Sequence, residues 1–397
     1  MHGDKQVKQP AAPRLATPNH LKTLPWLALA LAAGSAQAAE SSKFRQSAVG
    51  LFGGEIAAPG DNPGFFSTAS LAVVDIYKVV DGSGNPIALP GRNLPLATGA
   101  PTGGAVPNGV YTLNVGPGSI DFAQRQTQLN LVGGYISEGL YANGRLVLAV
   151  NVPLIKQRRT FVATQPLGTV SPTPAATLPA PLRGAISAVA GATNNAVQAG
   201  VASTAAAQNA EVSGVGDTEV VMAWSYHQER LKLVAGLSAW LPTGVYDKAR
   251  GPNPGFGDFY TLRTGLAATY SLNPKHTDSA WDAGVTLAGR VAYGSNGKNK
   301  DTNYKSGDFV YLEAGIVKLM GDWAVGANLL SVQQVSDDSG AGVPVGTGRY
   351  KNFGAGPFVA YKLPGKEAGF NLHYSENFGS RNAIVARTVQ MRFIRAW

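Results

Sequence analysis

The sequence contains no cysteine. Disulfides, thiolate metal sites, cysteine nucleophiles and a lipid-bearing N-terminal cysteine are therefore excluded. Charge is also scarce: Asp, Glu, Lys and Arg make up 14% of the 397 residues, against about 25% in an ordinary soluble domain. The formal net charge of +9 includes no Lys/Arg run of the kind that marks a nucleic-acid footprint. Beyond residue 38, no uninterrupted apolar stretch reaches the roughly 18 residues that a membrane helix requires. Gly53-Gly54 and Gly133-Gly134 lack the spacing and helix context of a phosphate cradle. Histidine in the same region is reduced to His227, His276 and His373. With no metal, nucleotide or redox motif in view, neither a cofactor nor an enzymatic activity is expected.

What is present begins with a leader. Lys5, Lys8, Arg14 and Lys22 precede an apolar run from Leu24 to Ala33, and Ala36-Gln37-Ala38 follows as a small-x-small site. That order predicts a cleaved secretory signal peptide over residues 1–38. Residues 39–397 are then expected to form one domain, exported through the inner membrane.

Period-two patterning dominates that domain. From Leu231 to Leu241, Leu and Ala on one parity alternate with Lys232, Val234, Gly236, Ser238 and Trp240 on the other. Tyr260, Leu262, Leu266, Ala268, Tyr270 and Leu272 likewise alternate with Thr261, Arg263, Gly265, Ala267 and Thr269. Phe370, Leu372 and Tyr374 alternate with Asn371, His373 and Ser375. Alternation alone also suits a soluble antiparallel sheet. The spacing decides between them. Twelve strands are predicted, near 65–80, 120–137, 144–163, 218–227, 230–243, 258–272, 281–296, 308–320, 323–336, 350–363, 368–378 and 384–397. Short connections alternate with long ones, and an even count returns both ends to one side, as in a transmembrane antiparallel β-barrel of the outer membrane. Trp224, Tyr226, Trp240, Tyr270, Trp281, Tyr293, Trp323 and Tyr361 fall at segment ends, where interfacial girdles would lie.

One long connection stands apart, an insertion at about 164–217. Its Pro-rich start gives way to an Ala/Val-rich run from Leu182 to Glu211. That run reads as a short helix in an outer loop, a segment folded into the pore, or a low-complexity loop. The final strand ends on Trp397, with Phe393, Met391 and Val389 at alternate positions and Arg395 breaking the apolar series. A terminal aromatic of this kind resembles the signal read by the barrel-assembly machinery, which is an expected partner along with outer-membrane lipid.

Several short motifs carry a family resemblance. They are Pro63-Gly64-Phe65-Phe66, Gly216-Asp217, Gly236-Leu237 with Leu241-Pro242-Thr243-Gly244-Val245-Tyr246-Asp247, Asn303-Tyr304-Lys305-Ser306-Gly307-Asp308, and Tyr374-Ser375-Glu376-Asn377-Phe378. From about residue 50 to its end the chain resembles the outer-membrane family of the meta-pathway of phenol degradation. The resemblance implies a barrel that helps small hydrophobic or aromatic compounds across the outer membrane by passive uptake. A general porin or a structural barrel is the alternative. The Leu182–Glu211 run departs from the plainer family pattern. Within the path, that run and Phe65-Phe66 are the expected apolar pieces.

Strand parity assigns Arg125, Arg263, Arg290, Glu313, Asn371, His373, Gln390 and Arg392 to the lumen, as a polar constriction or a packing network. His373 and Ser375 share a face, and outer-membrane lipid hydrolases use such a His-x-Ser pair for acyl transfer. Their sites face lipid, whereas parity turns His373 inward, so a polar lumen position is the expected role. Asp337-Asp338 is read as solvated rather than metal-binding.

Overall fold

Alternating apolar and small or polar residues cannot bury both faces of a strand in one medium, so each strand must separate two different media. The computed structural model, which describes residues 45, 62–248, 251–275, 277–340 and 348–397, resolves this with twelve long strands among those residues. They are β1 (Gly64–Val80), β2 (Gly118–Ile136), β3 (Arg145–Thr164), β4 (Thr218–Gln228), β5 (Leu231–Leu241) and β6 (Thr261–Ser271), then β7 (Val285–Asn296), β8 (Phe309–Met320), β9 (Trp323–Gln334), β10 (Lys351–Lys362), β11 (Ala368–Arg381) and β12 (Ala383–Ala396). Every neighbour in chain order pairs antiparallel, and β12 returns to β1 along a register from Phe66↔Ala396 to Val80↔Ala383. The sheet is closed, which removes the exposed edges that lipid could not satisfy. Each predicted strand is found, displaced by a few residues at most.

Connections at one end are mostly short turns, such as Gly321-Asp322, where Gly321 takes a left-handed φ of 63°, although the one from β6 to β7 spans residues 272–284. Those at the other end are long, save for Asn382, which joins β11 to β12 at φ 47°. Asparagine tolerates that conformation, so a strand reversal needs no glycine there. By the barrel pattern the turns are periplasmic and the long loops face outward. The predicted leader lies outside the described residues, as does His276.

Inward phenylalanines fill gaps left by cross-strand glycines. Phe66 faces Gly134, Phe309 faces Gly294 and Phe358 faces Gly326. A Cβ at any of these glycines would overlap the ring opposite, so the absence of a side chain is what admits it. Ring-over-glycine pairs of this kind pin strand register.

The largest outer loops form a unit of their own. Arg92–Pro95, Thr112–Val115 and Thr169–Ser171 build a three-stranded sheet, and helix α1 (Ala180–Gln208) packs on it. Prolines occupy the helix start, where no amide hydrogen is needed. Ile186, Ala190, Val197, Val201 and Ala205 recur at helical spacing and are buried. The first two join Leu96, Val106, Tyr111, Leu113 and Val115, while Val197 and Val201 meet Leu89, Ile120 and Ala163. Each fully buried Val or Ile contributes roughly 1.5–3 kcal/mol. The run from Leu182 is thus helical, in an outer loop, and its apolar face is covered by loop residues and by the inward side of the upper β2–β3 hairpin.

The lumen as candidate functional site

Burial sorts the sequence-predicted residues cleanly. Arg263, Glu313, Asn371, His373, Gln390 and Arg392 are all below one tenth exposed, and Arg290 has an 8% exposed side chain. All seven face inward. Arg125 does not. Its strand turns Gln124, Gln126, Gln128 and Asn130 toward the lumen, and Arg125 shares the outer face with Thr127, Leu129 and Leu131. The strand outruns the apolar belt, so an outward position there meets polar surroundings and admits an arginine.

Ion pairs neutralise most inward charge. Arg290 and Glu313 are direct cross-strand partners, bonded at 2.7 Å, and the Tyr311 hydroxyl donates to the same carboxylate at 2.9 Å. Arg263 reaches across β5 to Glu219 at 3.1 Å, its guanidinium lying 4.6 Å from the Trp240 ring centre. Trp240 is consequently a lumen residue, buried under Arg263, and not part of an interfacial girdle. The other seven aromatics expected in a girdle lie on the outer surface, with Trp224 stacked on Tyr226 and Trp323 packed 4.7 Å from Tyr361.

A third pair was not legible in the sequence. Arg45 lies fully buried beside Asp217, with Nε and Nη2 donating to one carboxylate oxygen at 2.9 and 2.7 Å. It also donates to Thr261 Oγ1 at 2.9 Å and stacks 4.0 Å from the Phe259 ring centre. Asp217 accepts from the backbone N–H groups of Gly244 and Phe256 as well. Gly216-Asp217 and the Pro-Thr-Gly motif therefore act together to shape the outer end of the lumen. No local pattern marks Arg45, because its partner is 172 residues away.

The remaining polar residues occupy the β9–β12 side. His373 lies 3.4 Å from Asn328 through Nε2 and packs near Phe358, while Gln390 donates to Ser70 Oγ at 2.6 Å. No hydrogen bond joins His373 to Ser375 among the described residues, and both point away from lipid. Opposite them the lumen is open. A cavity of about 760 Å³ runs from Leu140 and Asn143 beside a periplasmic turn to Asp217 and Phe256 at the outer end. One wall carries a chain of amides in which Gln157 donates to Gln126, Gln126 to Gln128, and Gln128 to Asn130, each at 2.7–2.8 Å. Val132, Val147, Ala149, Val221 and Val234 supply apolar wall between the polar groups. Phe66 lines this space, but Phe65 is 67% exposed on the outer face beside Tyr135. Helix α1 contributes nothing to the cavity wall.

A closed antiparallel barrel with an apolar exterior and a polar, partly open interior is an outer-membrane channel in its architecture. The chain belongs to the family described as putative MetA-pathway of phenol degradation, whose model matches residues 181–393. Among solved structures it resembles an outer membrane channel from Pseudomonas putida F1, with 11% identity, a TM-score of 0.56, and coverage of 85% of this chain and 99% of that one. The toluene transporter TodX of Pseudomonas putida matches at 12% identity and a TM-score of only 0.37, covering 90% of this chain and 96% of that one. The transport unit of the Escherichia coli autotransporter AIDA-I matches at 8% and 0.42, over 93% and 98%. At these scores the last two say nothing about solutes. No curated protein matches the sequence.

Proposed function

We propose that the protein is a passive outer-membrane channel for small hydrophobic or aromatic compounds. The observation that carries this reading is the composition of the cavity wall. Valine and alanine side chains share it with an amide ladder, which lets an apolar ring slide past without stripping water from an uncompensated charge. Family membership supports the same direction. Of the seven inward residues, Arg263, Arg290 and Arg392 line the path while Glu313, Asn371, His373 and Gln390 do not, and Arg263, Arg290 and Glu313 are held in ion pairs.

A second reading, anionic solutes such as aromatic carboxylates, has its own observation. Arg145 and Lys232 line the periplasmic end of the cavity, and a cationic mouth favours anions. Uptake of a neutral aromatic and of a benzoate-like acid, compared in cells with and without the gene at scarce supply, separates the two. Equal uptake of both compounds with and without the gene would leave a general porin or a structural barrel. Replacing His373 and Ser375 by Ala should leave flux nearly intact. Phospholipid or lipid A hydrolysis that vanished in Ser375→Ala would instead establish an enzyme.

A further inference from the structure

Arg125 and Arg158 are direct cross-strand partners on β2 and β3, and both are exposed on the outer face of the barrel. Like charges placed opposite one another destabilise a sheet. Neither guanidinium forms an ion pair or hydrogen bond among the described residues, although Asp75 flanks Arg125 and Glu211 flanks Arg158 in register. Glu211 is instead engaged by Lys156 at 2.7 Å, a third outward cation on the same edge. An arrangement that repels itself and leaves ten guanidinium N–H donors available is complementary to an oxyanion.

Their height along the barrel identifies the anion. On β3 the outward residues are Leu146, Leu148, Val150, Val152 and Leu154, followed by Lys156 and Arg158. Leu146 sits just above the periplasmic turn, and Leu154 is about 20 Å higher for a strand rising ~3.3 Å per residue and tilted ~40°. Arg158 is then roughly 30 Å above Leu146, just past an apolar band that is ~25 Å tall. Arg125 stands level with it across the ladder, with Tyr135 of the same face near the opposite boundary. Both arginines therefore meet the outer leaflet where hydrocarbon gives way to headgroup. We infer that Arg125 and Arg158 form a clamp for a phosphate of the outer-leaflet glycolipid, with Lys156 beside it. The site is independent of what passes through the lumen. Phosphate chemistry is common to lipid A and to free phosphate, but the position beside the apolar belt selects the lipid-borne group.

The test uses the full chain in detergent, with three probes: bisphosphorylated lipid A, the same lipid without phosphates, and inorganic phosphate. Unfolding is followed by the heat-dependent change in gel mobility, and retained lipid by native mass spectrometry. Bisphosphorylated lipid A should raise the unfolding temperature of the wild type, and the dephosphorylated lipid should not. Affinity should fall at least about tenfold in the R125A/R158A double variant, and R125K/R158K should keep most of it. Arg158→Gln gives a readout that misfolding could not mimic. Without lipid it should unfold close to the wild-type temperature, because it relieves the Arg–Arg repulsion without setting a carboxylate opposite Glu211, yet it should lose most of the lipid A response. An unchanged response in R125A/R158A would overturn the proposal. Full reproduction of the shift by inorganic phosphate would overturn the assignment to lipid.

Discussion

Arg45 and Asp217 stand 172 residues apart in the chain and form a buried contact at the outer end of the lumen, with two guanidinium nitrogens donating to one carboxylate oxygen. Both side chains are at most 3% exposed. Removing one partner leaves the other as a buried charge without its counterion, a change that costs about 3–5 kcal/mol. Asp217→Ala should therefore lower the denaturant midpoint markedly, and it additionally frees the Gly244 and Phe256 amides. The Arg45→Met, Asp217→Leu double variant should recover much of the loss, because a well-packed apolar pair avoids the desolvation cost. A loss in the double variant equal to the sum of the single-variant losses would show that the pair is uncoupled.

Charge balance in the lumen predicts how selectivity responds to mutation. Glu219 neutralises Arg263 beside the open cavity, whereas Glu313 does the same for Arg290. Glu219→Gln keeps the shape and leaves Arg263 with a neutral neighbour. Reversal potentials across a salt gradient should shift toward anions, and benzoate flux should rise several-fold relative to that of a neutral aromatic. Glu313 does not line the cavity, so Glu313→Gln should shift selectivity less and reduce stability more.

Helix α1 belongs to the outer loop unit, so its loss should be tolerated by the barrel. Ile186→Ala removes a side chain that is 0% exposed between Leu113 and its neighbours. A cost of about 2–5 kcal/mol is expected for the loop unit, seen as faster proteolysis within residues 164–217 on intact cells. Conductance and heat-modifiable mobility should stay close to wild type. A blocked or leaky channel would instead place the helix in the path.

Low pH should loosen the loop between β7 and β8. Burial by itself would raise the Asp308 carboxyl, but hydrogen bonds from Tyr293 Oη at 2.8 Å and Ser295 Oγ at 2.9 Å, with the Lys305 ammonium at 3.7 Å, outweigh it and hold the pKa below the ordinary value. The stabilisation is then complete above the unfolded pKa of about 3.9 and is lost as pH falls through the lower folded value. Hydrogen exchange of residues 297–308, corrected for intrinsic rate, should accelerate only below about pH 4. Asp308→Asn should show the faster exchange already at neutral pH.

Strand number, strand ends and the inward parity of Arg263, Arg290, Glu313, Asn371, His373, Gln390 and Arg392 could be read directly from the sequence. A membrane barrel must show one face to lipid and one to the lumen, so its period-two pattern is a local property of each strand. The same logic misplaced Arg125, whereas Trp240 was misplaced by its position at a segment end although its parity pointed inward, and Phe65 faces outward although it was read into the path with Phe66. Polar character marks the lumen only within the apolar belt, and an aromatic at a strand end belongs to whichever face its parity selects. Position relative to the membrane boundary depends on strand tilt, which no single strand encodes. The Arg45–Asp217 contact, the seat of helix α1 and the pairing of Arg263 with Glu219 across an intervening strand were decided by tertiary structure alone. Each joins residues that meet only when the sheet has closed, and closure fixes which polar groups share the interior and which side of it stays open.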